Sequence, residues 1–175
     1  MGASTVSRWK GSGKGVTLFV MELYLVRHGE AEPNVSDAGG GGPALTESGL
    51  AHACRCAEFA ARLGVRVAEI RHSDRLRAIQ TAQEFERALG APRRQLPGIG
   101  PDDDINPLRC EAAGLQQNVM VVGHLPYLNR IAGALLAQDE SMPVVVFHPV
   151  SLIRLDRRDD ARWSLQLVMP TGVMP

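Results

Sequence analysis

Short apolar runs alternate with amphipathic segments along most of this chain, and this alternation limits the folds available to it. The runs MELYLV (Met21 to Val26), VRVAEI (Val65 to Ile70) and NVMVVG (Asn118 to Gly123) have the length and composition of strands. Helical segments separate these runs. Strands that alternate with helices are typical of an α/β fold with a largely parallel sheet.

The helical segments carry recognisable ends. LTESGLAHACRCAEFAARLG predicts a first helix with Thr46 as its N-cap and Gly64 at its end. SDRLRAIQTAQEFERALG predicts a second helix, with Ser73 or Asp74 near the N-cap and Gly90 at the end. A third helix is predicted in LPYLNRIAGALLAQ, and a short one within the Pro-rich region, around Leu108 to Leu115. The apolar stripe expected on the first helix consists of Leu50, Ala53, Ala57, Ala60 and Ala61.

The C-terminal part changes character. VVVF, SLIRLD and WSLQLV are three further strand candidates with no helix between them, which predicts some antiparallel pairing. The expected fold is therefore a three-layer α/β/α sandwich with a mostly parallel central sheet and antiparallel C-terminal strands. We expect one domain over residues 21–175, after a tail over residues 1–20 that is rich in Gly, Ser and basic residues.

Composition excludes several classes of partner. The formal net charge is +0, so no overall field recruits nucleic acid or an anionic membrane. The apolar run before Arg27 does not fit a signal peptide, because Glu22 interrupts it and no small-residue cleavage site follows. It is also too short to span a bilayer. The three cysteines, Cys54, Cys56 and Cys110, are too few for a disulfide framework. We expect reduced thiols, no metal site and a cytoplasmic protein.

Three of the predicted strands end in residues that can take part in catalysis or bind an anion. The first ends in Arg27 and His28, the second in His72 and Ser73, and the NVMVVG strand is followed by His124. Arg77 lies one turn into the helix that follows the second strand. Because ligands bind outside the carboxyl ends of parallel strands, we expect these side chains to lie close together at that edge of the sheet, around the mouth of one binding pocket.

Such a set suits a phosphoryl group. Guanidinium forks match phosphoryl oxygens, and helix N-termini favour anions. One imidazole can attack phosphorus, and the other can hydrogen-bond an oxygen. Phosphoryl transfer depends mostly on positioning and charge stabilisation, so these groups are nearly sufficient without a metal or another cofactor.

The segments carrying these residues resemble a known family. LVRHGEAEPN is similar to the signature of the histidine phosphatase superfamily, the phosphoglycerate-mutase-like proteins, with Arg27, His28 and Gly29 as its Arg-His-Gly and Asn34 seven residues after the Arg. LTESGLAHA resembles the family's Leu-Thr-x-x-Gly segment. SDRLRAIQTAQ and VVGHLPYLN resemble the segments with the second arginine and the second histidine, here Arg77 and His124. The four segments occur in family order.

The resemblance implies roles for these positions. His28 would be the nucleophile that becomes phosphorylated, while Arg27, Arg77 and His124 would hold the phosphoryl oxygens. Asn34, Gly29 and Ser73 are the further candidates for substrate binding. The short chain leaves little room for a capping insertion, which resembles the compact, SixA-type phosphohistidine phosphatases. A phosphohistidine-bearing phosphotransfer protein is then the expected substrate, and nearby arginines should lower the pKa of His28.

One feature of the family is missing. Capped members supply a glutamate as general acid from the segment between the second arginine and the second histidine, and here that segment is rich in proline. Glu30 and Asp103 are the candidates for this role, with weaker ones at Asp102, Asp104 and Glu111. A phosphoester leaves as an alkoxide and needs an acid, whereas the P–N bond of phosphohistidine is labile. The missing acid therefore favours a phosphoramidate substrate.

Other interpretations stay open at this point. A small phosphorylated metabolite is the alternative substrate, in particular if Arg93, Arg94 or Arg109 folds over the mouth. A phospho-ligand binding module that has lost catalysis is the alternative from another class. Arg75 could replace Arg77 if the helix register differs. Among the remaining histidines, His72 is expected at the surface, with a place lining the pocket as the alternative, and His52 at the surface or in the core. His148 lies before a late strand, and a position at the rim of the site is its less favoured alternative.

Overall fold

A computed structural model describes residues 20–33, 41–158 and 161–169. All of the predicted tail except Val20 lies outside these residues, as does Asn34. No helix in the described ranges is long and apolar enough to cross a membrane. In chain order, the elements are β1 (Met21–Arg27), α1 (Glu47–Arg62), β2 (Glu69–His72), α2 (Leu76–Leu89), β3 (Arg93–Gln95), α3 (Asn106–Gly114), β4 (Val119–Gly123), α4 (Tyr127–Leu136), β5 (Leu152–Arg157) and β6 (Trp163–Met169).

These strands form one six-stranded sheet in the order β3-β2-β4-β1-β5-β6. The pairs β3–β2, β2–β4 and β4–β1 are parallel, whereas β5 is antiparallel to both β1 and β6. This is the predicted α/β architecture, with the antiparallel strands at the C-terminal end. The carboxyl ends of β1, β2 and β4 lie side by side, because Arg27 is in register with Gly123 and His72 with Val122.

Helices cover both faces of the sheet. Alternate residues of β1 point to opposite faces: Leu23 and Leu25 pack with α3 and α4, and Tyr24 and Val26 pack with α1 and α2. Each face therefore has its own apolar core, and the three layers hold the central strands rigidly. The strand ends that carry Arg27, His72 and Gly123 are fixed by this packing.

Several predicted strands need correction. The second strand begins at Glu69 rather than Val65, because its partner β4 begins at Val119 and the ladder starts there. VVVF is not a strand: Val145 and Phe147 are buried and Val146 is exposed, but the segment pairs with none of the six strands of the sheet. The short edge strand β3 was not predicted, because its three polar residues give no apolar signal.

Helix ends were predicted more accurately than helix faces. Thr46 caps α1 by accepting a hydrogen bond from the Gly49 amide at 2.8 Å, and Gly90 ends α2 in the left-handed conformation. Neither Ser73 nor Asp74 caps α2; Arg75 occupies that position and its side chain makes no capping bond. Leu50 is 41% exposed, so the buried face of α1 is centred on Ala53, Cys56, Ala57 and Ala60 instead.

Gly49 joins the first turn of α1 to the loop that follows His28. A Cβ atom at this position would overlap the carbonyl oxygen of Glu30, which also accepts a hydrogen bond from the Thr46 amide at 3.0 Å. We expect Gly49→Ala to lower the free energy of unfolding by about 3 kcal/mol, since neither backbone can move freely. Urea denaturation followed by circular dichroism measures this change.

Gly114→Ala is the matched control, because nothing lies within 4 Å of a Cβ built at Gly114 on α3. Its free energy of unfolding should stay within about 1 kcal/mol of the wild type. Equal destabilisation by the two substitutions would contradict the close contact at Gly49.

Candidate active site

The ends of β1, β2 and β4 bring the predicted residues to one edge of the sheet. The backbone amide of His28 donates to the Gly123 carbonyl at 3.1 Å, and that of Ser73 donates to the Val122 carbonyl at 3.3 Å. His124 follows directly after Gly123. The two imidazole rings of His28 and His124 lie 4.9 Å apart between centroids, tilted by 52°.

His28 is held in a defined tautomer. Its Nδ1 lies 2.7 Å from the carbonyl oxygen of Gly29, and a carbonyl can only accept, so Nδ1 carries the proton. In the neutral ring, Nε2 then has a free lone pair. The Nε–H of Arg77 donates to this Nε2 at 3.2 Å. The unprotonated nitrogen of His28 therefore faces a guanidinium, where an anion would also be attracted.

The electrostatic environment keeps this ring neutral. Burial lowers the pKa of His28 to about 4; the Gly29 hydrogen bond opposes this shift, and the charges of Arg77 and Arg27 add to it. The Nε2 lone pair is therefore available throughout the neutral range and becomes protonated only as the pH falls towards 4. A histidine that must attack an electrophile needs this state.

Arg27 is tied to a distant segment of the chain. Its Nη1 donates to the Phe147 carbonyl at 2.9 Å, across 120 positions of sequence. Its Nε is buried and has no hydrogen-bond partner in the described part of the chain. Burial also lowers the pKa of the guanidinium, which nevertheless stays charged. One side of the fork is thus anchored, while another N–H remains without an acceptor and suits a phosphoryl oxygen.

The segment from Phe147 to Ser151 supports the end of β1. The Val150 amide donates to the carbonyls of Arg27 at 3.0 Å and His28 at 3.3 Å, and the Arg27 amide donates to the Ser151 carbonyl at 3.3 Å. Val150 is fully buried with φ at 59°, a strained conformation for a β-branched residue. Strain of this kind persists where surrounding contacts enforce it.

His124 is paired with Ser73. Its Nε2 lies 2.5 Å from the Ser73 Oγ, and both residues are buried. The same Oγ accepts a hydrogen bond from the Arg75 amide at 3.3 Å. The Ser73 hydroxyl is therefore used by the second histidine rather than by the helix cap predicted for it.

Thr81, which was not among the predicted site residues, connects two parts of the candidate site. Its Oγ1 accepts a hydrogen bond from the Gly29 amide at 3.1 Å and donates to the Arg77 carbonyl at 2.7 Å. It thereby connects the loop after His28 to the helix that carries Arg77. Its spacing of four residues from Arg77 places both on one side of α2, which is the signal that could have identified it.

Gly29 has a packing reason to be glycine. A Cβ atom there would lie 2.9 Å from the Gly49 carbonyl oxygen and 3.0 Å from the Leu45 side chain. Its amide already donates to Thr81. Gly29 therefore shapes the loop between His28 and α1.

The candidate acids are occupied by other contacts or face solvent. Asp103 accepts a hydrogen bond from the Gly100 amide at 2.6 Å through Oδ2, and Asp104 accepts from Asn106. Glu111 forms an ion pair with the buried Arg71 at 2.8 Å. Glu30 and Asp102 are exposed. Among the described residues, none of these carboxylates makes a hydrogen bond or ion pair with His28 or His124.

The remaining candidates are distributed around the site. His72, expected at the surface, is buried, because β3 and β4 flank it on both sides in the sheet. Its Nδ1 lies 2.8 Å from the Ser73 carbonyl oxygen. His148 is exposed and its amide donates to Ser151 Oγ at 2.8 Å. Arg77, at the predicted register, is the arginine whose guanidinium reaches His28, and Arg75 stands at the start of α2.

A model of the histidine phosphatase superfamily (branch 1) matches residues 23–100, a stretch that includes Arg27, His28 and Arg77. Over this stretch the chain is similar to the histidine phosphatase superfamily, and the solved structures with the same fold agree with that similarity. The solved structure of the protein histidine phosphatase SixA complexed with tungstate has the same fold, with a TM-score of 0.77, 21% sequence identity, and coverage of 87% of this chain and 98% of that chain.

Two further structures extend this comparison. A putative phosphohistidine phosphatase SixA from Agrobacterium tumefaciens is 28% identical, with a TM-score of 0.68 and coverage of 85% of this chain and 97% of that chain. A putative alpha-ribazole-5′-P phosphatase from Escherichia coli is 16% identical, with a TM-score of 0.69 and coverage of 86% and 97%. No curated protein sequence matches the chain. The phosphatase therefore resembles members that differ in substrate.

Proposed function

We propose that this phosphatase works without a metal, through a phosphohistidine intermediate on His28, and that its substrate is phosphohistidine on a phosphotransfer signalling protein. The observation that carries the mechanism is the neutral His28 ring, with Nδ1–H on the Gly29 carbonyl and the Nε2 lone pair beside Arg77. Nucleophilic attack at phosphorus needs this lone pair, and the arginines supply positive charge for the transferred oxygens.

The reaction has two steps. In the first, His28 Nε2 forms a bond to phosphorus while the bond from phosphorus to the leaving group breaks. Arg77 gives up its contact with Nε2 and binds phosphoryl oxygens together with the unpartnered Nε–H of Arg27. In the second step, water attacks the phosphorus and releases phosphate, which returns His28 to its neutral form.

The positions of the acids support a phosphoramidate substrate. Asp103, Asp104 and Glu111 are engaged in loop contacts or with Arg71, and Glu30 is exposed. An alkyl phosphate needs strong protonation of its leaving oxygen, whereas a phosphohistidine ring can be protonated near neutral pH. The two SixA structures that this chain matches over nearly their whole length are named a protein histidine phosphatase and a putative phosphohistidine phosphatase, which agrees with this choice.

A small phosphorylated metabolite is the second candidate substrate. The putative alpha-ribazole-5′-P phosphatase shares the fold, although at 16% identity it supports nothing finer. Two of the three basic residues that would favour this substrate form ion pairs elsewhere: Arg93 pairs with Glu86 at 2.8 Å and Arg94 with Glu69 at 3.2 Å. These pairs weaken the case for a basic wall that folds over the mouth.

Competition between substrates tests the proposal. Wild type and His28→Ala would be assayed with a chelator and no added metal, on a phosphotransfer domain labelled at histidine, an aryl phosphate and a panel of alkyl phosphates. We expect rapid loss of label from the phosphohistidine domain by the wild type alone. Faster cleavage of an alkyl phosphate would instead assign a metabolite substrate. Binding of phosphate without any turnover would assign a phospho-ligand binding module.

A further inference from the structure

Ser73 and His124 form a hydrogen-bonded pair that has no role in the two reaction steps described above. Their contact is short, at 2.5 Å between Oγ and Nε2, and it is buried, with each residue 1% exposed. A serine at the start of a helix ordinarily caps it. Here the Ser73 hydroxyl does not cap α2. The N-cap residue of α2 is Arg75, and no side chain in the described part of the chain caps this helix.

Counting donors and acceptors defines what the hydroxyl can do. A serine Oγ has one hydrogen and two lone pairs. One lone pair accepts the Arg75 amide, because an amide N–H can only donate. If His124 Nε2 carries a proton, it fills the second lone pair, and the hydroxyl hydrogen is left to donate to a third group. If Nε2 is bare, the hydroxyl donates to it. The same contact accommodates both states.

We propose that Ser73 and His124 form a proton relay that replaces the missing carboxylic acid; this inference rests on the proposed nucleophilic role of His28. In the first step, the bond from phosphorus to the leaving group breaks and its electron pair stays on the leaving atom. That atom takes the proton of the Ser73 hydroxyl, and Ser73 Oγ takes the proton from His124 Nε2. For this transfer His124 begins as an imidazolium, protonated at both Nδ1 and Nε2, and it ends as the neutral ring with the proton on Nδ1 and with Ser73 donating to the bare Nε2.

The second step restores the relay. Water attacks phospho-His28, and one of its protons passes to Ser73 Oγ as the Ser73 proton moves to His124 Nε2. The bond from phosphorus to His28 Nε2 breaks, its electron pair returns to the ring, and phosphate leaves. The ring spacing of 4.9 Å between His28 and His124 keeps the relay beside the reacting phosphorus. A hydroxyl–imidazole pair is a weaker acid than a carboxylic acid, which suits a labile P–N bond.

Dependence on the leaving group tests this proposal. Ser73→Ala and wild type would be compared on a series of substituted phenyl phosphates, from nitrophenyl to phenyl. Since a good leaving group needs no proton, we expect nitrophenyl phosphate cleavage to fall only a few-fold, and phenyl phosphate cleavage to fall about 10²-fold, as for loss of a general acid. Ser73→Thr, which keeps a hydroxyl, should retain the wild-type dependence on leaving group.

Thr81→Val is the matched control. It removes another buried hydroxyl, one that connects Gly29 to Arg77. Its loss should lower the rates for all phenyl phosphates by the same factor, because it positions groups and transfers no proton. A uniform loss in Ser73→Ala as well would overturn the relay.

A second measurement uses the phosphohistidine domain itself and does not depend on phenyl phosphate turnover. Single-turnover rates would be measured in mixtures of light and heavy water. In the wild type, the dependence of the rate on the deuterium fraction should indicate that more than one proton moves in the rate-limiting step. In Ser73→Ala, the solvent isotope effect should be smaller than in the wild type. An unchanged isotope effect in the variant would also overturn the relay. Failure of the proposed function is distinct, since it would appear as no phosphoenzyme on His28 in the wild type.

Discussion

His28→Ala is expected to lower kcat on the phosphohistidine substrate by about 10⁴-fold or more, the scale seen when a covalent nucleophile is removed. The reason is that Nε2 of His28 is the atom that bonds to phosphorus, and no described neighbour offers an equivalent lone pair in that place. Single-turnover assays with labelled substrate and an alkaline quench measure both the rate and the phosphoenzyme. Label should be trapped on the wild type and absent from the variant.

His52→Ala is the control for this experiment, because His52 lies on α1 at a half-buried position and has no place in the proposed reaction. It should turn over at close to the wild-type rate. A labelled phosphoenzyme in His28→Ala would show that another group, such as His124, is the nucleophile. The wild-type rate should also hold down to about pH 5 and fall below it, since the pKa of His28 lies at about 4 and the attacking form is neutral.

Much of the site could be predicted because it is built from strand ends. Once β1, β2 and β4 are recognised as parallel neighbours, Arg27, His28 and His124 must meet at one edge. The apolar runs and the glycine or histidine that follows each of them carry this information locally. The α/β architecture was predictable for the same reason, since each strand and helix has its own periodicity.

Long-range backbone contacts left no signal in the sequence. The Phe147 carbonyl that anchors Arg27 belongs to a segment that reads as a strand, because Val145 and Phe147 are buried on either side of an exposed Val146. Only the pairing of the sheet shows that this segment is not one of its six strands. The polar edge strand β3 was missed for the opposite reason, since its residues lack an apolar pattern.

The position of Ser73 in the sequence is compatible with two roles for its hydroxyl, a helix cap and a contact with a side chain of another strand end. Its place before α2 predicted a helix cap, but its Oγ contacts His124 Nε2 and the Arg75 amide, and among the described residues α2 has no side-chain cap. The choice depends on β4, which lies beside β2 and brings His124 within 2.5 Å. Sequence alone does not contain that adjacency.

Arg27→Lys is the second substitution expected to have a large effect. Arg27 has two tasks at once: Nη1 donates to the Phe147 carbonyl, while Nε remains without a partner for a phosphoryl oxygen. A lysine ammonium is a single point on a flexible stem and cannot hold both positions. We expect kcat to fall by about 10² to 10³-fold, as for loss of one preorganised donor to a developing anion. Steady-state assays of phosphohistidine turnover measure this change.

Arg94→Lys is the matched control for Arg27→Lys. Arg94 is 54% exposed and pairs with Glu69, so a lysine there keeps the charge and disturbs no phosphoryl contact. Its kcat should match the wild type. If Arg27→Lys instead retained kcat and changed only KM, the fork of Arg27 would bind the ground state and the transition state equally. The geometry favours the kcat effect, because the Phe147 carbonyl fixes one side of the guanidinium before substrate arrives. The Nε–H is left without an acceptor in the described part of the chain, so we expect it to bind a phosphoryl oxygen as phosphorus moves towards His28.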